Sequence, residues 1–228
     1  LLDLPDRDVT GWARDARSRG GAFARGESAN PARATGAAQP KRERVHIRLE
    51  SSEFSCDDVE IRELTGSEAI SSLFSFHVDV VCFDVNGLDT AQMLGARVSL
   101  VFEQGSLEMR RVHGMVAEVA DRLETESEWR SYRLWIVPRV WRSSLVETQE
   151  VYLDISVPDL IAQKLALVGL SPGADVEMRL VGSYPVRELI VQYKETDVAF
   201  VSRLAEHVGI SFFFEHDGGA DKIVFSDA

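Results

Sequence analysis

The chain holds 37 Asp and Glu residues among 228, so paired carboxylates are the first chemistry to weigh. A glycosidase needs two carboxyls roughly 5–10 Å apart, one raised in pKa by burial or by its neighbour. Candidate groups are Glu118 with Asp121, Glu124 with Glu126 and Glu128, and Glu215 with Asp217. Spacing alone does not separate them from solvated charge, and Glu124, Glu126 and Glu128 lie in LETESEW, which reads as a polar connection. The histidines are His46, His77, His113, His207 and His216. They form no His-x-x-x-His or His-Glu-x-x-His pattern and no cysteine joins them at ligand spacing, so no metal site is expected. His113 stands out because Gly114 follows it mid-strand, where a glycine marks a bulge or a close backbone approach. A structural role, with the ring bonded to backbone, is expected of His113 ahead of a catalytic one. The serines lack a Gly-x-Ser-x-Gly elbow, no glycine-rich phosphate loop occurs, and Cys56 and Cys82 have no Cys-x-x-Cys spacing. Two reduced thiols packing as small apolar residues, no cofactor and no enzymatic activity are the expectation.

A formal net charge of −12 argues against nucleic-acid or anionic-membrane partners, which require clustered cations. No apolar run approaches the roughly 18 residues of a membrane span, so membrane residence is not expected. The opening LLDLPDRDVT lacks the basic start and apolar stretch of a signal peptide, so Sec export is not expected either. The start without Met, and the end at Ala228 directly after a strand-like run, give the expectation of a piece of a longer protein. Residues 1–44 are rich in Ala, Gly, Arg, Ser and Pro and carry nine Lys/Arg against six Asp/Glu. Such a segment buries too little to offset its ordering entropy and reads as a disordered or linker tail, with the acidic excess in the remainder.

From Val45 the pattern becomes period-2, and the runs Val45–Leu49, Val59–Leu64, Phe74–Val81, Arg97–Glu103, Leu107–Asp121 and Trp129–Pro138 predict strands. Six strands at this spacing suggest an antiparallel barrel or closed sheet with its ladder edges paired. Trp129 and Trp135 share one face by alternation, most simply the core side. Beyond Trp141, Ser156-Val157-Pro158-Asp159 predicts a capped helix ending at Gly169, followed by a strand Val186–Tyr193. Thr196-Asp197 then caps a second helix that stops at Gly209, and Ile210–His216 with Lys222–Ser226 predict a hairpin. Phe212-Phe213-Phe214 would place aromatics on both faces of its strand, burying one face in a subunit interface or both beneath the second helix. The expected class is α+β, mainly β: a barrel-like domain at 45–145 and a smaller β/α domain at 146–228. No internal repeat and no tandem Val-Gly array occurs.

An ordered series of motifs then stands out. It runs from Phe74-Ser75-Phe76 through Leu94-Gly95, Val112-His113-Gly114-Met115-Val116 and Tyr132–Pro138 with Trp141. It continues into Gln192-Tyr193-Lys194-Glu195-Thr196-Asp197-Val198-Ala199-Phe200-Val201-Ser202-Arg203-Leu204 and Gly209–His216. This series resembles the N-terminal region of VgrG (valine-glycine repeat) type VI secretion tip proteins and of phage tail hub proteins, including the late-control D family. The chain departs at Glu150-Val151-Tyr152-Leu153, where those families usually carry Arg-Ile-Phe-Gln. The resemblance implies a homotrimer whose barrel domains form a pseudo-sixfold ring joining the hexameric Hcp tube to a threefold spike. Baseplate and effector proteins would be further partners. It also implies residence in the bacterial cytoplasm before firing and export through the type VI apparatus without a signal peptide. A phage or tailocin baseplate hub is the alternative within this architecture; a cell-wall glycosidase or carbohydrate-binding module lies outside it. The resemblance marks His113, Gly114, Gln192, Tyr193, Glu195, Asp197, Phe200 and Arg203 as assembly positions, the alternative being that they only fix the fold.

Overall fold

A computed structural model of the chain describes residues 45–84, 86–122 and 129–228. The tail expected at 1–44 and the carboxylates Glu124, Glu126 and Glu128 lie outside the described residues. The first half holds β1 (Val45–Ser51), β2 (Val59–Ser67), β3 (Ser75–Cys82), a single helical turn α1 (Thr90–Met93), β4 (Arg97–Gln104), β5 (Leu107–Arg122) and β6 (Arg130–Val137). All six strands join one antiparallel sheet in the order β1-β4-β5-β6-β3-β2. Alternation builds its core: Val78 and Val80 of β3, Val98 and Leu100 of β4, Val112 and Val116 of β5, and Tyr132, Leu134 and Ile136 of β6 point to one side and are buried together. Each such side chain contributes about 1.5–3 kcal/mol by leaving water.

Two expectations need correction here. The sheet curls like a half-barrel but does not close, because β1 and β2 end the strand order and do not pair with each other. The register of β2 on β3 shifts between Ile61 and Glu63, and a bulge of this kind bends and twists an edge strand away from a neighbour. Trp135 does not face the core either. It shares the outer face of β6 with Arg133, stacks on His77 at 6.1 Å and meets Trp141 edge-on at 5.3 Å, while Trp129 is exposed.

After β6 the chain makes a 3-10 turn, Arg139–Ser144, and enters β7 (Glu147–Ile155), α2 (Val157–Leu167), β8 (Val176–Arg179), β9 (Arg187–Thr196), α3 (Asp197–His207), β10 (Ser211–Glu215) and β11 (Lys222–Ser226). Both helix starts are as the sequence predicts: Ser156 accepts from the Asp159 N–H and Thr196 from the Ala199 N–H. Each cap is worth about 1 kcal/mol. The strand expected at 186–193 runs on to Thr196, so the helix begins with no intervening loop. β7 and β9 form a two-stranded antiparallel ribbon; β10, β11 and β8 form a second small sheet in which β11 and β8 are parallel. Leu160, Ile161 and Leu165 of α2, Phe200, Val201 and Leu204 of α3, and Phe212, Ile223 and Phe225 of the hairpin make a second core. Phe214 packs against both cores, and the described residues form one compact unit.

Candidate functional site

The motif Gln192–Arg203 folds back on itself where β9 meets α3. The pairing of β9 with β7 jumps from Gln149–Tyr193 to Thr148–Glu195, leaving Lys194 as the bulged residue at φ 48°. Before the bulge, alternation turns Ile190 and Gln192 inward and Leu189, Val191 and Tyr193 outward. Gln192 donates to the Asp197 carboxylate at 2.8 Å and to the Glu195 carbonyl at 3.1 Å. Asp197 also receives Lys164 from α2 at 2.8 Å and Thr148 Oγ1 at 3.2 Å. Lys164 is only 1% exposed, and its ammonium also reaches Glu150 at 2.9 Å. Burial opposes ionisation of Asp197, but Lys164, Gln192 and Thr148 outweigh it and hold the carboxyl below its usual range. Lys164 is the mirror case: burial disfavours its charge, yet Asp197, Tyr152 and Glu150 leave its pKa raised.

Glu195 and Arg203 pair through two contacts, at 2.5 and 3.1 Å, and the guanidinium lies 5.4 Å over the Phe200 ring. Phe200 is fully buried, with Tyr152 of β7 stacked on it at 5.8 Å. Gln192, Glu195, Asp197, Phe200 and Arg203 therefore engage one another and the helix pair. Tyr193 points outward, away from these contacts. Glu150, the departure from the resembling families, bonds Tyr152 and Lys164 of its own chain.

Behind this polar support lies a face that the sequence did not single out. Cross-strand partners Val151–Val191, Leu153–Leu189 and Gln149–Tyr193 cover the outer side of the β7–β9 ribbon. Its five apolar or aromatic members are 45% to 66% exposed. No charged side chain sits among these six positions. A contiguous apolar face differs from scattered exposed residues, and such faces mark contact sites. The available signal was the run of apolar residues at both parities in Leu189-Ile190-Val191, which serves a strand covered on two sides.

His113 and Gly114 sit elsewhere, at the centre of β5. Gly114 fits because a Cβ there would lie 2.8 Å from the Val137 carbonyl oxygen and 3.0 Å from Ile136 Cγ2, so the expected close approach is present. The His113 ring contacts Ser99 Oγ at 2.9 Å through Nδ1, and the Gly218 backbone lies close enough to favour its charged form. The His216 ring takes a backbone group, accepting the His113 N–H at Nδ1, 3.1 Å away.

Little here suits catalysis. Among the described residues every carboxyl whose pKa departs clearly from its ordinary value is pushed down, whereas a general acid needs the opposite. Glu215, from a candidate pair, is held down by Arg179, which binds both its oxygens at 2.5 and 2.8 Å. Burial pushes the Cys56 thiol up to about 11, away from a reactive thiolate. A cleft of about 1080 Å³ opens beside β1, but the arginines that line it are already paired: Arg48 with Glu103, Arg97 with Glu53, Arg111 with Glu108 and Arg139 with Asp221. No group of three or more His, Cys, Asp or Glu suited to a metal ion occurs among the described residues, and no helix there is long and apolar enough to cross a membrane.

Residues 67–228 match the family model for the phage tail baseplate hub (GPD). The chain belongs to this hub family. Among the hub chain's relatives is the type VI secretion system spike protein VgrG1c of Pseudomonas aeruginosa, 32% identical over 75% of this chain and 23% of its own length. VgrG1a of the same organism is 30% identical over 74% of the chain and 25% of its own length. A Vibrio cholerae relative, named actin cross-linking toxin VgrG1, is 28% identical over 74% of the chain and 16% of its own length. The hub chain thus spans about a quarter or less of these relatives. Its fold is that of an Escherichia coli type VI secretion component described as similar to the bacteriophage T4 tail proteins gp27 and gp5. That match has a TM-score of 0.69 at 23% identity and covers 79% of this chain and 48% of the other. A prophage tail protein from Shewanella oneidensis shares the fold at TM-score 0.53 and 10% identity, over 80% of this chain and 53% of its own.

Proposed function

We propose that the hub chain is a structural part of a type VI secretion spike: a homotrimeric base that joins the Hcp tube to a puncturing tip and performs no catalysis. The observation that carries this reading is the 32% identity to a VgrG spike protein across three quarters of the chain. In this reading the six-stranded part, 45–145, forms the ring that meets the tube, and 146–228 contributes contacts between copies. Baseplate and effector proteins are its further partners. It waits in the bacterial cytoplasm and leaves through the secretion apparatus.

The β7–β9 face supports the homotrimer. Its occupant is a second copy of this chain, because copies with a net charge of −12 repel one another and approach most cheaply over an apolar face that carries no carboxylate among its six residues. Six side chains cover less than the roughly 800 Å² per partner of a standard interface, so the contact gains from closure into a ring of several copies. A phage or tailocin baseplate hub is the second reading, favoured by the family description.

Tube binding separates the two. Sedimentation of the 228-residue chain with purified Hcp rings is expected to show a complex at micromolar concentration, with no complex on phage tube rings. Binding to phage rings alone would transfer the chain to the second reading, and binding to neither would count against a hub role.

A further inference from the structure

Where the six-stranded sheet meets the β10–β11 hairpin, few bonds cross. Ser71 and Phe212 are joined by the Ser71 N–H donating to the Phe212 carbonyl at 2.7 Å and the Phe212 N–H to Ser71 Oγ at 3.4 Å. Arg139 grips Asp221, and the His113 N–H reaches His216. Around the last bond, Phe74 lies edge-on to His216 at 5.5 Å and to Phe214 at 5.0 Å, and the two imidazoles are 6.1 Å apart between centroids. His113 is 6% exposed. The Nε2 atoms of both rings are buried without a hydrogen-bond partner.

This geometry fixes the protonation state. A backbone N–H only donates, so His216 Nδ1 must accept and the ring's proton must sit on Nε2. A second proton has one place to go, Nδ1, where it would confront the His113 N–H and end the bond. A charged His216 would also be buried beside His113, with no acceptor at either Nε2.

We propose that His113 and His216 form a proton-sensitive latch between the six-stranded sheet and the β10–β11 hairpin, closed while both rings are neutral and released when His216 is protonated. Other charges around the pair do not prevent release. Asp221 faces both rings from the hairpin loop and favours their protonation, but its carboxylate is committed to Arg139. Glu108 of β5 and Glu68, just beyond β2, also favour the cation, while Arg110 and Arg111 of β5 oppose it. The Gly218 backbone lies near His113 and favours its charged form, yet makes no hydrogen bond to Nε2. On β4, the Ser99 hydroxyl can serve His113 Nδ1 in either role.

The sign follows from burial, which lowers both histidines below their ordinary value in the folded chain. The folded chain then binds fewer protons than the open one, so the latch is fully closed above about pH 6.5 and weakens as pH falls through the folded values. The carboxylates with lowered pKa lose their contribution at lower pH, below about 4.5. A comparison between pH 7.5 and 5.5 therefore isolates the histidines.

Hydrogen exchange of the whole chain, corrected for intrinsic rate, tests the latch. Protection of residues 211–226 and 112–116 is expected to fall from pH 7.5 to 5.5, by at most about tenfold per pH unit for each histidine. Protection of 160–165 in α2 should hold. His216→Asn keeps an acceptor near the place of Nδ1 but cannot titrate, so its hairpin protection should fall less with pH than the native chain's, keeping only the part that His113 supplies. Unchanged protection in the native chain, or the same loss in the variant, overturns the proposal. Should the variant not fold, histidine titration of the native chain by NMR decides: a midpoint below the free value, shared by the hairpin signals, supports the latch, and unshifted midpoints with a static hairpin refute it.

Discussion

Replacing Lys164 with alanine is expected to cost about 3–5 kcal/mol, the usual penalty for leaving a buried charge without its partner. The Asp197 arm dominates. Asp197 is 14% exposed at its side chain, whereas Glu150 is 47% exposed and its arm is screened by water. Without the ammonium, the Asp197 carboxylate keeps only Gln192 and Thr148, and the β9–α3 junction loses its anchor to α2. For a chain of this size the loss corresponds to a fall of roughly 6–20 °C in Tm. The double change Lys164→Met with Asp197→Asn should recover much of it, because the cost lies in the orphaned charge more than in the absent pair. Thermal unfolding of the two variants beside the native chain measures both effects, and a Lys164→Ala chain within 1 °C of the native one would contradict this account of the motif.

Arg139→Ala should cost a similar 3–5 kcal/mol. Arg139 and Asp221 are 11% and 4% exposed at their side chains. The guanidinium donates from Nε to Asp221 at 2.6 Å, and from Nη2 to Asp175 at 2.8 Å and to the Asp221 carbonyl at 2.5 Å. One side chain thus ties the 3-10 turn after β6 to the hairpin loop and to the start of β8. Lysine should not rescue it, since an ammonium lacks the planar fork these acceptors use. Urea unfolding gives the loss, and protease cleavage between residues 216 and 222 should accelerate with it. Native stability and native cleavage rates in Arg139→Ala would place the joint's strength elsewhere.

Local chemistry made much of the fold legible. Alternation placed β3, β4 and β6, the hydroxyls of Ser156 and Thr196 marked both helix starts, and Gly218-Gly219 marked the hairpin turn. Features set by distant partners were not legible. The four residues of β8 are a strand only because β11 lies parallel to them, and whether β1 and β2 pair is set by strands far apart in sequence. Trp135 obeys the alternation that pairs it with Trp129, but the core took the other parity, with Tyr132, Leu134 and Ile136. The motif residues illustrate the same limit. Their resemblance to hub families located them, yet their partners Lys164 and Thr148 lie far away in sequence, and the bulge at Lys194 decides which of them face out. The outward set is Tyr193 with Leu189, Val191, Val151 and Leu153, and of these the resemblance marks only Tyr193.

The central claim is that this chain assembles with copies of itself through the β7–β9 face, and its solution mass by light scattering tests that most directly. Over a concentration series the native chain is expected to rise from one copy toward three, while Leu153→Glu with Val191→Glu stays at one copy with its unfolding midpoint little changed. A single-copy mass for the native chain at every concentration, or a variant that associates as the native chain does, would contradict it.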